Sequence, residues 1–225
     1  MPYPMTIAVL ANSRKPGGSC VAGLDKASGF TRWVRPVSTR EGEAINASEQ
    51  QCSGGGIPEL LDLVEIRFAR PGPHQHQQEN HVIDSTAAWR KVGALSWNEA
   101  RAAVQPVHGP LWENGHQSRN RRNNRVPGSR VSEFHHSLLL IEPNDLRIFV
   151  DEEDTYSGPR VRVRAAFNAA GYSYVLEVTD PVAEDDYRGR GIGMYAPPAA
   201  LLCVSLGEVF EDGNAYNLVA GVIER

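Results

Sequence analysis

The chain has 225 residues, of which 41% are apolar or aromatic, and a formal net charge of -4. That length makes one large domain or two small ones, because domains run about 100–150 residues, and the apolar content excludes a disordered chain. The net acidity excludes a molecule that binds polyanions over its whole surface, and no apolar run approaches the ~20 residues of a membrane span.

Strand signals come first. Met5–Ala11 is an apolar run rich in strand formers, and Gly17-Gly18 then makes a turn. Cys20–Leu24 and Thr31–Val37 follow as strands, with a hairpin turn at Ser28-Gly29. In the second of these, Trp33, Arg35 and Val37 share one face, since side chains alternate along a strand. Pro36 places that segment at a sheet edge or strand end. Residues 42–57 read as an excursion with a short helix near Ala47–Gln51 and a Gly54-Gly55-Gly56 breaker. Leu61–Ala69 alternates and is a strand, and Pro71–Asn80 is a polar connection.

The middle changes character. Ser85–Val92 and Ser96–Val104 read as helices, the second opened by Ser96 with Glu99 three positions on, a capping box. Pro110–Pro127 is a loop dense in Asn, Gly and Arg. Strands return at His135–Ile141, Leu146–Val150, Arg160–Phe167 and Tyr172–Thr179. Val161, Val163 and Ala165 alternate there with Arg160, Arg162 and Arg164, the pattern of a half-buried strand. Asp180 is placed to cap a helix over Pro181–Arg188, and Leu201–Leu206 and Tyr216–Ile223 close the chain as strands. The order predicts a mainly β protein with a few helices (α+β). It fits two small OB-like β-barrels, residues 1–84 and 134–225, joined by a helical and loop-rich connector, residues 85–133. No sequence repeat relates the two halves.

Charge is uneven. From Asn12 to Arg40 the cations Arg14, Lys15, Lys26, Arg32, Arg35 and Arg40 meet only Asp25. From His116 to Arg130 come Arg119, Arg121, Arg122, Arg125 and Arg130 with no acid, while acids gather at 151–154 and 184–186. The cysteines, Cys20, Cys52 and Cys203, form neither a disulfide framework nor a zinc pattern. Met1–Leu10 lacks the layout of a signal peptide, so a cytoplasmic protein is expected.

Three polar stretches mark candidate ligand contacts. Asn12, Ser13, Arg14 and Lys15 follow a buried strand at a barrel rim, where cations meet phosphate. His74, Gln77, Glu79 and Asn80 lie in a His- and Gln-rich run. His74, His76, His81 and Glu79 match no standard metal spacing, so neither a metal nor a cofactor is expected. Trp112, Asn114, Ser118, Asn120 and Arg125 combine amides, a hydroxyl and a guanidinium that read base edges and phosphates with an indole that stacks; the alternative is a self-bonded loop. Trp33 and Arg35 complete the set. Cys20 is the one candidate nucleophile, if Lys15, Arg14 or a His lowers its pKa, and otherwise a small buried hydrophobe.

The chain resembles the dual OB-containing domain family, found in bacterial genomes and often associated with conflict or defence systems. The resemblance rests on Leu10–Lys15, Gly18–Gly23, Trp33–Ser38, Gln77–Asn80, Pro110–Gly115, Val178–Pro181 and Ser205–Glu208, in that order, and so covers nearly the whole chain. In that family's pattern an acid often precedes the arginine of the central loop, where this chain has Asn124. Arg121 and Arg122 replace residues that are usually neutral, which makes this loop more basic. The resemblance implies paired OB folds and nucleic-acid binding, and carries no catalytic assignment. Three functions stay open: binding of nucleic acid or a nucleotide-like ligand, an enzyme acting on a nucleotide or modified base through Cys20, and a subunit with a protein partner in a defence system. The three polar stretches are expected to converge on one cleft around an anionic guest, which would strengthen the first reading.

Overall fold

A computed structural model describes residues 1–15, 17–40, 44–155 and 158–225, so the opening of the excursion expected at 42–57 lies outside the described residues. The chain divides into two compact units. One comprises Met1–Ala103 with His135–Ser137, the other Val104–Phe134 with Leu138–Arg225.

The first unit is built from β1 (Tyr3–Lys15), β2 (Gly18–Asp25), β3 (Trp33–Val37), β4 (Asp62–Pro71), β5 (Asn80–Ile83) and β6 (Arg90–Ala94). The sheet order is β1-β2-β3-β5-β4, and β4 pairs again with β1, so these strands close into a barrel with β6 appended to β4. The β3–β5 step is parallel; the other steps are antiparallel. Closure depends on the length of β1. Its first part, Tyr3–Ala8, pairs with β4, and Ile7–Lys15 pairs with β2. A bulge between Val9 and Ala11 lets the strand bend from one partnership to the other. Gly23 sits opposite this bend, where a Cβ would lie 2.1 Å from the Ala8 carbonyl oxygen. Period-2 alternation fills the barrel: Val64, Ile66 and Phe68 of β4 join Ile7, Val9, Val21, Val34 and Ile83 inside.

Two expected helices of this unit take other forms. The helix expected at Ser85–Val92 is absent: residues 85–87 turn, held by the Ala87 N–H to the Asp84 carbonyl, and the chain is extended from Trp89 into β6. Trp89 is buried in the barrel core, its backbone pairs with Gln51 and Ser53, and β6 lies along β4, so tertiary packing overrides local propensity. Residues 47–50 form a turn held by Asn46, whose side chain accepts from the Glu49 N–H at 2.9 Å. The expected second helix is present, as α1 (Trp97–Ala102), with the Ser96–Glu99 capping box intact.

The second unit contains β7 (Arg125–Pro127), β8 (Leu138–Ile141), β9 (Asn144–Thr155), β10 (Gly158–Ala169), β11 (Tyr172–Val178), α2 (Pro181–Arg190), β12 (Gly193–Tyr195), β13 (Ala200–Val209) and β14 (Asn214–Glu224). Its sheet runs β12-β9-β10-β11-β14-β13-β8, with a parallel β11–β14 step and β7 on β14. The path β9-β10-β11-β14-β13 therefore repeats the strand order of the first barrel. Here β12 takes the outer edge of β9 and β8 that of β13, so among the described residues the two do not join. The core holds Ile148, Val163, Phe167, Leu176, Val204 and Val219, and Tyr187 of α2 packs into it. Asp180 caps α2 as expected, accepting from Val182 and Ala183, with Pro181 in the first turn. No helix among the described residues is long and apolar enough to cross a membrane.

Candidate ligand-binding surfaces

Asn12–Lys15 continue β1 as the arm of a hairpin, with Asn12 opposite Val21, Ser13 opposite Cys20, Arg14 opposite Ser19 and Lys15 opposite Gly18. Alternation buries Ser13 and exposes Arg14, while Lys15 is partly exposed at the tip. Asn12 donates to the Pro58 carbonyl at 3.4 Å. Ser19 and Ile45 exchange backbone hydrogen bonds, which requires a bare backbone at Gly18: a Cβ there would stand 2.1 Å from the Ile45 oxygen. Cys20 is partly exposed on β2.

On β3, Val34 points into the core, so Trp33 and Arg35 occupy the outer face, and both are buried. Arg35 Nη2 donates to Ser137 Oγ at 2.8 Å and lies 3.4 Å from Glu79 Oε1; the Ser137 hydroxyl donates to the same carboxylate. The Arg35 backbone N–H also donates to the Glu79 carbonyl at 2.8 Å. A charge pair this deep is maintained only when its remaining valences are satisfied, and Ser137 supplies one. Asn80 donates to the Gln77 side chain at 3.2 Å, and both are buried. His74 is exposed and pairs through its backbone with Gln77.

The third polar stretch belongs to the second unit. Trp112 is buried in its core. Asn114 and Ser118 are half-buried and Asn120 is exposed. Asn120 and Asn123 have φ of 59° and 51°, the left-handed region that Asn tolerates well. Asn124 accepts from the Ser118 N–H and donates to its hydroxyl, each at 2.9 Å. Arg122 and Val175 exchange backbone bonds, Asn217 donates to the Asn124 carbonyl, and β7 pairs with β14. The segment thus fills the gap between β11 and β14, which pair with each other only at Glu177–Leu218 and Val178–Val219. The Asn123 and Asn124 amides serve the backbone, Asn120 donates to Glu153 at 3.0 Å, and Arg125 sits over the Tyr216 ring at 5.5 Å.

Of the loop's two added cations, Arg121 is neutralised on the outer face of β9–β11. Arg121 reaches Glu177 at 2.9 Å and Glu153 at 3.4 Å. Arg162 pairs with Glu177 at 2.8 Å, and Arg164 with Glu153 at 2.7 Å. Burial disfavours ionised Glu153, yet the Asn120 hydrogen bond and the Arg121 and Arg164 charges outweigh it and hold that carboxyl below its usual range. Arg119 and Arg122 are the loop's exposed cations.

One groove escaped the sequence reading. It opens on the first barrel with a volume of about 690 Å³, walled by Tyr3, Met5, Asp25, Lys26, Arg32 and His81 among others. The Tyr3 hydroxyl and His81 Nδ1 are 2.6 Å apart, and Arg32 is held by Asp25 at 2.6 Å. The signal was present in pieces, Lys26 and Arg32 in the early basic run and His81 in the His-rich stretch. Nothing local shows that β1, the β2–β3 turn and β5 bring them together.

The polar stretches therefore divide. Asn12–Lys15, Trp33, Arg35 and His74–Asn80 belong to the first unit, and Trp112–Arg125 to the second. No curated protein and no solved structure registers as similar to this chain. A five-stranded Greek-key barrel is the OB architecture, and the strand path that builds it occurs in both units, closed in the first and open in the second. The dual OB-containing domain model matches residues 5–222, and the chain belongs to that family.

Proposed function

We propose that the chain binds nucleic acid through the first barrel. The observation that carries this reading is topological. OB barrels grip oligonucleotides with the face of their second and third strands and with the loops joining strands one to two and four to five. The polar stretches Asn12–Lys15 and His74–Asn80 fall at those two connections. Arg14 and Lys15 are the phosphate contacts at the hairpin tip, with exposed His74 and Gln78 on the other loop. The indoles of Trp33 and Trp112 are buried, so the reading rests on charge and hydrogen bonding instead of stacking. The second unit supports it less: Glu153 and Glu177 beneath its central loop engage Arg121, Arg162 and Arg164, which weakens the field those three arginines offer a polyanion.

Phosphate binding releases counterions, so affinity falls steeply with salt. Fluorescence anisotropy with labelled single-stranded and duplex oligonucleotides tests this. The Arg14→Ala, Lys15→Ala double variant should bind more weakly and show a log–log salt slope shallower by about 1.4 for a single strand. Absence of oligonucleotide binding at low salt overturns the reading.

A further inference from the structure

The groove on the first barrel is a second, separate feature, built around one fixed guanidinium and one fixed aromatic pair. Its volume of about 690 Å³ is that of a small-molecule site. Tyr3 is held twice, by its ring against Phe68 at 6.0 Å between centroids and by its hydroxyl at His81 Nδ1. The His81 and Tyr3 rings meet edge to face at 5.9 Å. Such a wall is preorganised, and a ligand ring docking on it orders little that is not already ordered.

The charges are arranged as deliberately. Asp25 is 1% exposed and accepts from the Ala27 N–H at 3.1 Å and from Arg32 at 2.6 Å, so its carboxylate is spent inside the protein. Arg32 is anchored by one nitrogen while 63% of its side chain stays exposed; a guanidinium carries five N–H donors, and the rest are available to a ligand. Glu65, the other acid in the wall, is engaged by Arg90 at 2.9 Å. Lys26 is exposed at the mouth and has no such acid against it among the described ion pairs. The surplus is one positive charge beside two rings.

We propose that this groove is a subsite for a single nucleotide, with its phosphate on Arg32 and Lys26 and its base against Tyr3 and His81. The proposal rests on the nucleic-acid reading and narrows it to one nucleotide unit, supplied either as a free mononucleotide or as the phosphorylated end of a strand.

Isothermal titration calorimetry of the full chain decides it, with AMP, adenosine and inorganic phosphate as probes. AMP should bind at least tenfold more tightly than either part alone. Arg32→Gln should weaken AMP at least tenfold. Because Arg32 also holds Asp25, Lys26→Gln serves as the control on folding: it removes an exposed charge only, and should weaken AMP severalfold with unchanged thermal stability. Tyr3→Phe should leave phosphate affinity alone and weaken AMP. Competition by a 5′-phosphorylated oligonucleotide, and not by its unphosphorylated form, assigns the site to strand ends; no competition by either assigns it to free nucleotide. AMP binding that is absent, or insensitive to both Arg32→Gln and Lys26→Gln, overturns the proposal. If oligonucleotides bind and AMP does not, the groove assignment falls alone; if AMP binds and oligonucleotides do not, the broader reading falls instead.

Discussion

Burial, and then the Arg32 charge, disfavour the His81 imidazolium and hold its pKa below the ordinary histidine value. The unfolded chain therefore takes up the proton first as pH falls. The stability that neutral His81 provides is complete above the unfolded value and is lost as pH drops from there toward the folded one. Guanidinium denaturation between about pH 7.5 and 5 should show falling stability, with a flatter dependence in a His81→Asn variant. An equally steep dependence in that variant would assign the loss to other groups. Single residues show clearly what sequence conveys and what it withholds. That Arg35 shares a strand face with Trp33 follows from alternation alone. That the face is covered does not, because Ser137 lies 102 positions away. The same holds for Asn124, whose amide is legible as a turn former but whose carbonyl partner, Asn217, is not.

Elements were legible where the pattern is local. The capping box at Ser96 and the cap at Asp180 were read correctly because both depend on residues two or three positions apart. Asp180 does more than its local pattern shows. Its Oδ1 accepts from Val182 at 3.0 Å and Ala183 at 3.3 Å, and its Oδ2 accepts from Val222 of β14 at 3.1 Å. Burial still raises its carboxyl pKa against those three N–H groups. Asp180→Ala should cost about 2–4 kcal/mol by denaturant unfolding, from a lost cap and a buried N–H left without an acceptor. Asp180→Asn keeps the cap and loses only the Val222 acceptor, so it should fall between; an Asn variant as unstable as Ala would show that the cap contributes nothing. Elements defined by distant partners were misread. Ser85–Val92 looks helical until β4 and the place for Trp89 are known, and Arg122 with Arg125–Pro127 looks like open loop until the gap between β11 and β14 is known.

At the scale of the molecule, the strand path repeats while the sequences do not. A barrel needs alternation, turns and strand lengths, and many residue sets satisfy these. Fold class was legible for that reason. Closure was not, since it depends on β1 dividing its 13 residues between two neighbours while β9 gives its length to β10 and its outer edge to β12. The chain also crosses between its units more than once: residues 135–137 belong to the first, although their neighbours on both sides belong to the second. No single scission can therefore release the first unit whole. A fragment ending at Ala103 carries Arg35 and Glu79 without the serine hydroxyl that bridges them, and thermal melting should show it markedly weaker than the same barrel in the intact chain. The fragment alone would have to be complemented by a peptide bearing Ser137, so the chain is covalently one piece even where its cores are two.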